Sequence, residues 1–313
     1  MFDDVECSVL ICTYQPKWDK LRLTLKSIVM QRDCKVKIVI ADDGSENDLT
    51  SECRKFFKKN NFCNYEFTKN ENNKGTVINI LHGLSMCEGR YVKPLSPGDC
   101  LHNYHALRTW IDFMNNHKEY IMSYCDAIYY QNIDNMIVPL LRRAQPQSRK
   151  PTVKSYLLHR DLCLGASAMI RRCEWLKYLE VLRNKVIYAE DFSYQLMIYC
   201  GEKIINISRE FLLYEYGTGV STCQSQYWIE MLKKDEDEMD KILLSVKGCD
   251  EANKESVAKY LRIPNENDLK NKISRVIICP SKILFRIKWK IFPRFAPSEI
   301  NEDYVFELLS DNN

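Results

Sequence analysis

The sequence predicts an α/β protein built on a doubly wound, mostly parallel sheet. Short apolar runs alternate with segments whose apolar residues recur at helical spacing, and the connections between them are short. The clearest run is Lys37-Ile38-Val39-Ile40-Ala41, which is typical of a strand buried on both faces and ends abruptly at Asp42-Asp43-Gly44-Ser45. Strands joined by helices in this way pair in parallel within one sheet.

The alternation extends over about the first 125 residues. Strands are expected at Ser8–Tyr14, Lys37–Ala41, Tyr65–Phe67, Tyr91–Leu95 and Tyr120–Tyr124. Helices are expected over residues 19–31 and around three further apolar sets: Leu49, Cys53 and Phe56; Val77, Ile80, Leu81 and Leu84; Leu107, Trp110, Ile111 and Met114.

Beyond residue 125 the alternation weakens. Prolines and basic residues over 139–155 predict a mobile basic loop, and glycines punctuate a second loop over 214–222. The expected elements there are strands at 165–170 and 204–207 and helices at 174–182, after Glu190-Asp191, and at 226–246. We therefore expect residues 1–125 and 126–224 to form two halves of one domain, followed by a helical, basic extension over 225–313.

The composition is ordinary for a soluble globular protein, with 45% hydrophobic and 28% charged residues. A formal net charge of +3 gives no global reason to expect nucleic acid as a partner. No run of 18 apolar residues predicts a transmembrane helix, and the acidic N-terminus does not resemble a signal peptide. The fourteen cysteines are scattered without a Cys-x-x-Cys pair, which favours reduced thiols in a reducing cytoplasm.

Residues 269–294 carry many lysines and arginines and no acidic residue. Ile283, Ile287 and Ile291 share one helical stripe, and Lys282, Arg286 and Lys290 share the next. A basic amphipathic helix of this kind is typical of a segment that lies on an anionic membrane surface. The alternative is a C-terminal helix packed on the domain with solvated lysines. Nucleic acid is less favoured, because the aromatic residues do not form a separate stacking row.

Three polar clusters follow predicted strands directly: Thr13-Tyr14, Asp42-Asp43 and Ser96-Pro97-Gly98-Asp99. In an open α/β sheet, ligands bind at the carboxyl ends of the strands, so these clusters are expected at one edge. An aromatic ring beside a carboxylate suits a nucleobase. Neither a G-x-G-x-x-G fingerprint nor a P-loop is present. The alternative for Asp42-Asp43 is that they only cap the next helix.

At these positions the chain resembles the family 2 glycosyltransferases of the bacterial surface-polysaccharide type, which have a GT-A fold. The resemblance covers roughly residues 7–220, and its motifs occur in the family's order. The matching stretches are Ser8–Tyr14, Ile40–Ser45, Asn73-Lys74-Gly75, Glu88–Val92 and Glu190-Asp191.

The resemblance implies a nucleotide-sugar donor, with UDP as the expected nucleotide, bound at Cys12, Tyr14, Asp42, Asp43 and Gly75. Cys12 stands where the family has a proline or a hydroxyl residue, so we expect at most a backbone contact there. Asp43 is expected to accept a hydrogen bond from a uracil-like N–H, with Tyr14 stacking nearby.

The resemblance also implies a general base for inverting transfer at Asp191, with Glu190 as the alternative. The chemistry requires such a group, because an acceptor hydroxyl must lose its proton as it attacks the anomeric carbon. From the residues alone, capping of the following helix with complementation of its macrodipole is an equal alternative.

The chain departs from the family at the metal site. Family members usually carry Asp-x-Asp after the fourth strand to hold Mg²⁺ or Mn²⁺, whereas Ser96 and Gly98 occupy these positions here. Asp99 is the remaining candidate ligand, so dependence on a divalent cation is in doubt. Without a cation, Arg171, Arg172 or the basic loop could neutralise the diphosphate. Asp99, His102 and His105 also recur every three residues, but surface histidines are favoured over a zinc site.

The sequence thus predicts an inverting, nucleotide-sugar-dependent glycosyltransferase of the hexosyl or N-acetylhexosaminyl type. It is expected at the inner face of the plasma membrane, with an oligosaccharide or lipid-linked acceptor in capsule or O-antigen assembly. The alternative is a non-catalytic nucleotide- or glycan-binding homologue with a degenerate metal motif. A nucleotidyltransferase would need a glycine-rich phosphate loop, and residues 12–16 contain no glycine.

Overall fold

The computed structural model describes residues 5–134, 136–140, 150–153, 155, 164–217, 225–246, 251–263, 268–291 and 300–310. Most of the predicted basic loop, residues 218–222 of the second loop and residues 292–294 of the basic segment lie outside the described residues. The strands are β1 (Cys7–Thr13), β2 (Val36–Asp42), β3 (Tyr65–Lys69), β4 (Tyr91–Leu95), β5 (Cys100–Leu101), β6 (Met122–Ile133), β7 (Met136–Pro139), β8 (Ala168–Arg171) and β9 (Ile204–Glu215).

The helices separate these strands in the first part of the chain and make up its last part. They are α1 (Trp18–Val29), α2 (Thr50–Lys59), α3 (Thr76–Met86), α4 (Ala106–Asn116), α5 (Arg172–Leu182), α6 (Phe192–Tyr199), α7 (Gln226–Ser245), α8 (Glu251–Leu261), α9 (Leu269–Ile278), α10 (Ser281–Ile291) and α11 (Glu302–Leu309). A 3₁₀ turn at Gly165–Ser167 precedes β8. None of the described helices is long and apolar enough to cross a membrane.

The strands form one sheet in the order β3-β2-β1-β4-β8-β6-β9-β5, with β7 paired to β6. Strands β1 to β4 pair in parallel, as do β6 and β9, whereas β5, β7 and β8 pair antiparallel to their neighbours. The predicted α/β fold with a mostly parallel central sheet and a helical C-terminal extension is confirmed.

Helices cover both faces of the sheet, which explains the continuous apolar runs of β1 and β2. Ile38 and Ile40 face a core made with α1, α2 and α4, whereas Val39 and Ala41 face a second core made with α3, α5 and α6. Because successive side chains of a strand point to opposite faces, both sets must be apolar.

Strands β6 and β9 are longer than the sequence predicted. They pair along most of their lengths through a bulge between Tyr124 and Ala127. Asn206 donates a hydrogen bond to Asp126 across the two strands (3.2 Å), and this polar pair interrupts the apolar pattern from which the strand ends were predicted. Strand β6 also runs across the expected division at residue 125, so both halves share one sheet.

The last described helix, α11, packs into the domain. Tyr304 and Leu308 are completely buried in an apolar cluster with Leu23, Cys100 and Tyr130, and the Tyr304 hydroxyl donates to the carbonyl of Leu101 (2.8 Å). The end of the described chain is therefore part of the core next to β5.

We expect Tyr304→Ala to lower the free energy of unfolding by about 3–5 kcal/mol, because it leaves a cavity and an unpaired carbonyl. Phe306→Ala on the same helix is the matched control, since Phe306 is 79% exposed. Urea unfolding of the two variants measures the difference. Equal effects would contradict the packing of α11.

Candidate functional site

The three polar clusters predicted to meet at one edge of the sheet do so. Thr13 pairs with Asp42 across β1 and β2, and Ile11 pairs with Leu95 across β1 and β4. Because these strands are parallel, the residues that follow them emerge at the same carboxyl edge. The edge therefore carries Tyr14, the Asp42-Asp43 pair and the turn that begins at Ser96.

Asp43 fastens the loop between β3 and α3. Its buried carboxylate accepts hydrogen bonds from the Asn70 side chain (2.7 Å) and from the backbone N–H groups of Lys74 (2.8 Å) and Gly75 (2.9 Å). Three of its roughly four acceptor positions are thus occupied within the chain. The alternative that the acidic pair caps α2 is wrong, because Leu49 stands at the N-cap of α2.

Asp42 lies beside a cleft at the same edge. It accepts hydrogen bonds from the hydroxyls of Thr13 (3.2 Å) and Ser45 and from the Ser45 N–H (3.2 Å), and Lys69 lies 3.6 Å away. The cleft has a volume of about 120 Å³. It is lined by Thr13, Pro16, Leu21, Ile40, Asp42, Asn47, Asp48, Leu49, Thr50, Cys53, Phe67, Thr68 and Lys69. Tyr14, which is 53% exposed, follows Thr13 directly.

The structure brings the Glu190-Asp191 pair to this edge from the second half of the chain. The N–H of Val77, at the start of α3, donates to the carbonyl of Ile187 (3.1 Å). Gly75 has φ +87°, and a Cβ there would lie 2.3 Å from the Ile187 side chain and 2.7 Å from its carbonyl oxygen. Only glycine permits this approach, so Gly75 joins the loop held by Asp43 to the segment before Glu190.

Glu190 is half-buried and close to Gly165, where a Cβ would lie 2.7 Å from its Oε1. Burial and, to a smaller extent, the negative charge of Asp235 together raise the pKa of Glu190 to about 7, against a backbone hydrogen bond that lowers it. Burial and then the charge of Glu190 also raise the pKa of the Cys12 thiol well above its usual range. Cys12 at the end of β1 is therefore a neutral thiol.

Asp191 occupies the N-cap position of α6 and is half-buried. Its side chain makes no capping hydrogen bond to this helix. A side-chain cap of α6 was the structural alternative to a catalytic role for Asp191, and the absence of a capping hydrogen bond does not support it.

Asp99 lies below the edge in a mainly structural setting. Its carboxylate is buried and accepts a hydrogen bond from the N–H of Glu215 (3.3 Å). Burial raises the pKa of Asp99 to about 7. The hydrogen bond and the positive charge of Lys93 both act to lower the pKa of Asp99. Lys93 is itself fully buried and donates to the carbonyls of Pro94 (3.0 Å) and Ala166.

The divalent-cation site predicted at Asp99 rests on that one carboxylate, which is buried and accepts the N–H of Glu215. Within the described ranges, no three His, Cys, Asp or Glu side chains are grouped so that they could hold a metal ion. Gly98 packs so closely on Glu215 that a Cβ would lie 2.2 Å from its Oε2, and Glu215 is paired with Lys20 (2.7 Å). His105 is exposed and pairs with Asp33 (3.3 Å), as a surface histidine does.

Arg171 and Arg172 do not reach the donor edge, which corrects their proposed role in neutralising a diphosphate. Arg171 pairs with Tyr91 at the beginning of β4, and its guanidinium donates to the carbonyls of Tyr120 (2.9 Å) and Met114 (3.1 Å). Arg172 donates to the carbonyl of Gly89 (3.1 Å). Both side chains therefore lie at the opposite edge of the sheet.

A family model, glycosyl transferase family 2, matches residues 8–177, which is more than half of the chain. The chain belongs to glycosyltransferase family 2. The matched region contains β1 to β4, the acidic pair and the turn at Ser96, and it ends before Glu190. No curated protein matches the chain closely.

Solved structures share the GT-A fold. The 1–349 fragment of S. aureus TarS is 15% identical with a TM-score of 0.60, covering 89% of this chain and 82% of the fragment. The complex of this fragment with UDP-GlcNAc is 15% identical with a TM-score of 0.58, covering 89% of this chain and 80% of the fragment. Mannosyltransferase PcManGT from Pyrobaculum calidifontis, solved with GDP-Man and Mn²⁺, is 12% identical with a TM-score of 0.58, covering 91% and 75%. The chain spans about half the length of a longer TarS structure.

Sequence reasoning missed the buried polar residues that hold the site together: Asn70, Lys93, Asp235 and the Lys20–Glu215 pair. Most lie in segments whose pattern indicates an ordinary strand or a solvated helix face. The spacing along the chain gives no signal of partners that are distant in sequence, such as Asp43 for Asn70, Glu215 for Lys20 and the 187–189 main chain for Asp235.

The raised pKa of Glu190 gives a pH-dependent prediction. A carboxyl whose pKa is higher in the folded state binds its proton more tightly there, so the free energy of unfolding falls as pH rises from about 4.5 to about 7. Glu190→Gln should therefore raise the free energy of unfolding at pH 8 by on the order of 1–3 kcal/mol, with little gain at pH 5.

Glu180→Gln is the matched control for this measurement by thermal unfolding. Its hydrogen bonds with Arg183 lower the pKa of Glu180, so the same substitution should destabilise at pH 8. The prediction would be contradicted if Glu190→Gln lowered the free energy of unfolding at pH 8 by as much as it does at pH 5.

Proposed function

We propose that this protein transfers a sugar from a nucleotide donor, UDP in the first instance, to a saccharide acceptor with inversion at the anomeric carbon. The observation that carries this proposal is the contact between the donor edge and the acidic segment, made by Gly75, Val77 and Ile187. Family membership supports glycosyl transfer. Binding of UDP and UDP-GlcNAc by TarS and of GDP-Man by PcManGT supports a nucleotide-sugar donor of the hexosyl or N-acetylhexosaminyl type.

The donor base is proposed to enter the cleft beside Asp42 and to stack on Tyr14. Asp42 takes the place of Asp43, which the sequence predicts as the acceptor for the base N–H, because Asp42 lines the cleft whereas the Asp43 carboxylate holds the loop that carries Gly75. Cys12 contributes through its main chain, because its thiol is neutral and half-buried and offers a donor base no strong hydrogen-bonding group. This divides the predicted donor-binding set into groups that touch the donor and groups that shape its site.

The proposed base is Asp191, with Glu190 as the alternative. As the acceptor oxygen bonds to the anomeric carbon, its proton passes to the carboxylate, and the bond to the diphosphate oxygen breaks with its electron pair leaving on the diphosphate. The family resemblance supports Asp191. The raised pKa of Glu190 supports a role for its carboxylate near neutral pH.

The first test is a screen for UDP release from a panel of UDP-sugars with saccharide acceptors. Asp191→Asn and Glu190→Gln should each be assayed against Asp237→Asn, an exposed aspartate on α7. We expect the variant that lacks the base to lose about 10²–10⁴-fold in kcat, with UDP affinity retained. Full turnover in both acid variants would contradict the proposed base.

The same screen separates a second candidate function, nucleotide or glycan binding without catalysis. The replacement of the usual Asp-x-Asp by Ser96 and Gly98 favours this alternative, together with the absence of a metal-binding group among the described residues. UDP binding by calorimetry without turnover of any donor would support binding alone.

We further propose that helices α9 and α10 lie on an anionic membrane surface at the cytoplasmic face of a bacterial cell, where the acceptor is lipid-linked and serves surface-glycan assembly. Leu269, Ile273 and Ile277 form an exposed stripe on α9, and α10 exposes Ile283, Leu284, Ile287 and Ile291. Exposed Lys270, Lys272 and Lys290 accompany them. Apolar residues flanked by lysines complement anionic lipid.

Two of the basic residues assigned to this surface pack internally instead. Arg275 and Lys282 both lie over the ring of Tyr260, at 5.3 and 5.0 Å from its centroid, and Lys282 also donates to its hydroxyl. They attach α9 and α10 to α8, and the remaining lysines carry the proposed attraction to lipid.

Ile273→Asp with Ile277→Asp should abolish flotation with vesicles that contain anionic lipid, because each charge opposes burial among the headgroups. Phe306→Asp on α11 is the control, as it adds one negative charge, against two in the double variant, at an exposed position outside the stripe. Deletion of residues 269–313 is unsuitable, since it also removes the buried Tyr304. Unchanged flotation of the double variant would overturn the membrane proposal.

A further inference from the structure

A buried carboxylate from the C-terminal extension holds the segment before the proposed catalytic acids. Asp235 lies on α7, outside the region matched by the family model, and is 2% exposed. Its Oδ1 accepts a hydrogen bond from the N–H of Ile187 (2.8 Å), and its Oδ2 accepts from those of Tyr188 (2.7 Å) and Ala189 (2.9 Å). Glu190 and Asp191 follow directly.

These three N–H groups belong to a segment that is neither helix nor strand. Buried N–H groups need an acceptor, and outside regular structure a side chain must supply it. Hydrogen bonds to a carboxylate are among the stronger ones, and three successive donors on one carboxylate determine the path of the backbone closely. The same segment receives the N–H of Val77 on its other side.

We propose that Asp235 is a positioning residue for sugar transfer, which holds Glu190 and Asp191 against the donor edge. This inference rests on the proposed function. Asp235 fixes the 187–189 backbone, and Val77 and Gly75 connect that backbone to the loop held by Asp43 at the donor edge. Glu190 and Asp191 follow directly in the chain. The C-terminal extension thus completes the active site.

The charge of Asp235 supports the same conclusion. After burial, its negative charge is what raises the pKa of Glu190. Among the described residues, Glu190 also acts on the Cys12 thiol of β1, and Asp191 follows it directly in the chain. Removing the charge of Asp235 should therefore lower the pKa of Glu190.

The packing of α7 makes the proposal testable. Met239, Ile242 and Leu243 of this helix are buried in the second core, with α3, α5 and α6. The Trp228 ring meets the Tyr188 ring edge-on, with 4.9 Å between the ring centroids. The helix therefore has several attachments besides Asp235. We expect Asp235→Asn to keep α7 docked while it replaces one acceptor oxygen with an amide that faces N–H donors.

The experiment compares Asp235→Asn and Asp235→Glu with the matched control Asp237→Asn in the full-length chain. We expect Asp235→Asn to speed hydrogen exchange of the 187–189 amides at least about 10-fold and to lower kcat about 10- to 100-fold, with the Kd for UDP within about twofold. The pKa of Glu190, followed through the pH dependence of the free energy of unfolding, should move to lower pH in Asp235→Asn. Asp235→Glu, which keeps the charge, should recover part of the kcat.

Wild-type exchange and kcat in Asp235→Asn would overturn the proposal. An equal loss of kcat, UDP affinity and melting temperature would also overturn it, because that pattern indicates a general structural role. If the unaltered protein turns over no donor, the proposed function fails, whereas the exchange of the 187–189 amides still decides whether Asp235 holds this segment.

Discussion

The site depends on two buried carboxylates that hold irregular backbone. Asp43 accepts from the N–H groups of Lys74 and Gly75, and Asp235 accepts from three successive N–H groups over 187–189. The Val77–Ile187 hydrogen bond joins the two held segments. Backbone outside helices and strands has no internal partners, so each carboxylate replaces a missing ladder of hydrogen bonds. The donor edge and the acidic pair are thereby kept in one geometry.

Hydrogen bonds within the chain also offset the cost of placing three carboxylates at the carboxyl edge of a largely apolar sheet. Asp42, Asp43 and Asp99 all follow strands, but hydrogen bonds from hydroxyl or main-chain donors satisfy them in different ways. Asp99 stabilises the turn below the site, where Lys93 supplies positive charge and the N–H of Glu215 donates a hydrogen bond. Where relatives of the family usually have a metal-binding motif, this chain has a glycine that packs on Glu215.

The C-terminal extension has two structural roles. Helix α7 contributes Asp235 and core side chains, and α11 buries Tyr304 and Leu308 beside β5. Between them, α9 and α10 expose an apolar stripe with lysines nearby, while Arg275 and Lys282 attach them to Tyr260. The sequence pattern could not divide these basic residues into internal and exposed groups, because their partner Tyr260 lies on another helix and periodicity reports only the face of one helix.

The sequence by itself determined the fold class, the strands that form the donor edge and the family resemblance, because these depend on local periodicity and on short motifs after strands. It placed Tyr14, Asp42 and Glu190-Asp191 as candidates for that reason. Only the tertiary structure decided that Asp43 points inward, that Arg171 and Arg172 lie at the opposite edge, and that Asp235 reaches residues 187–189. These contacts join segments separated by 27 to 57 residues along the chain. Burial and hydrogen-bond partners at such distances are set by the packing of whole elements, which no local pattern encodes.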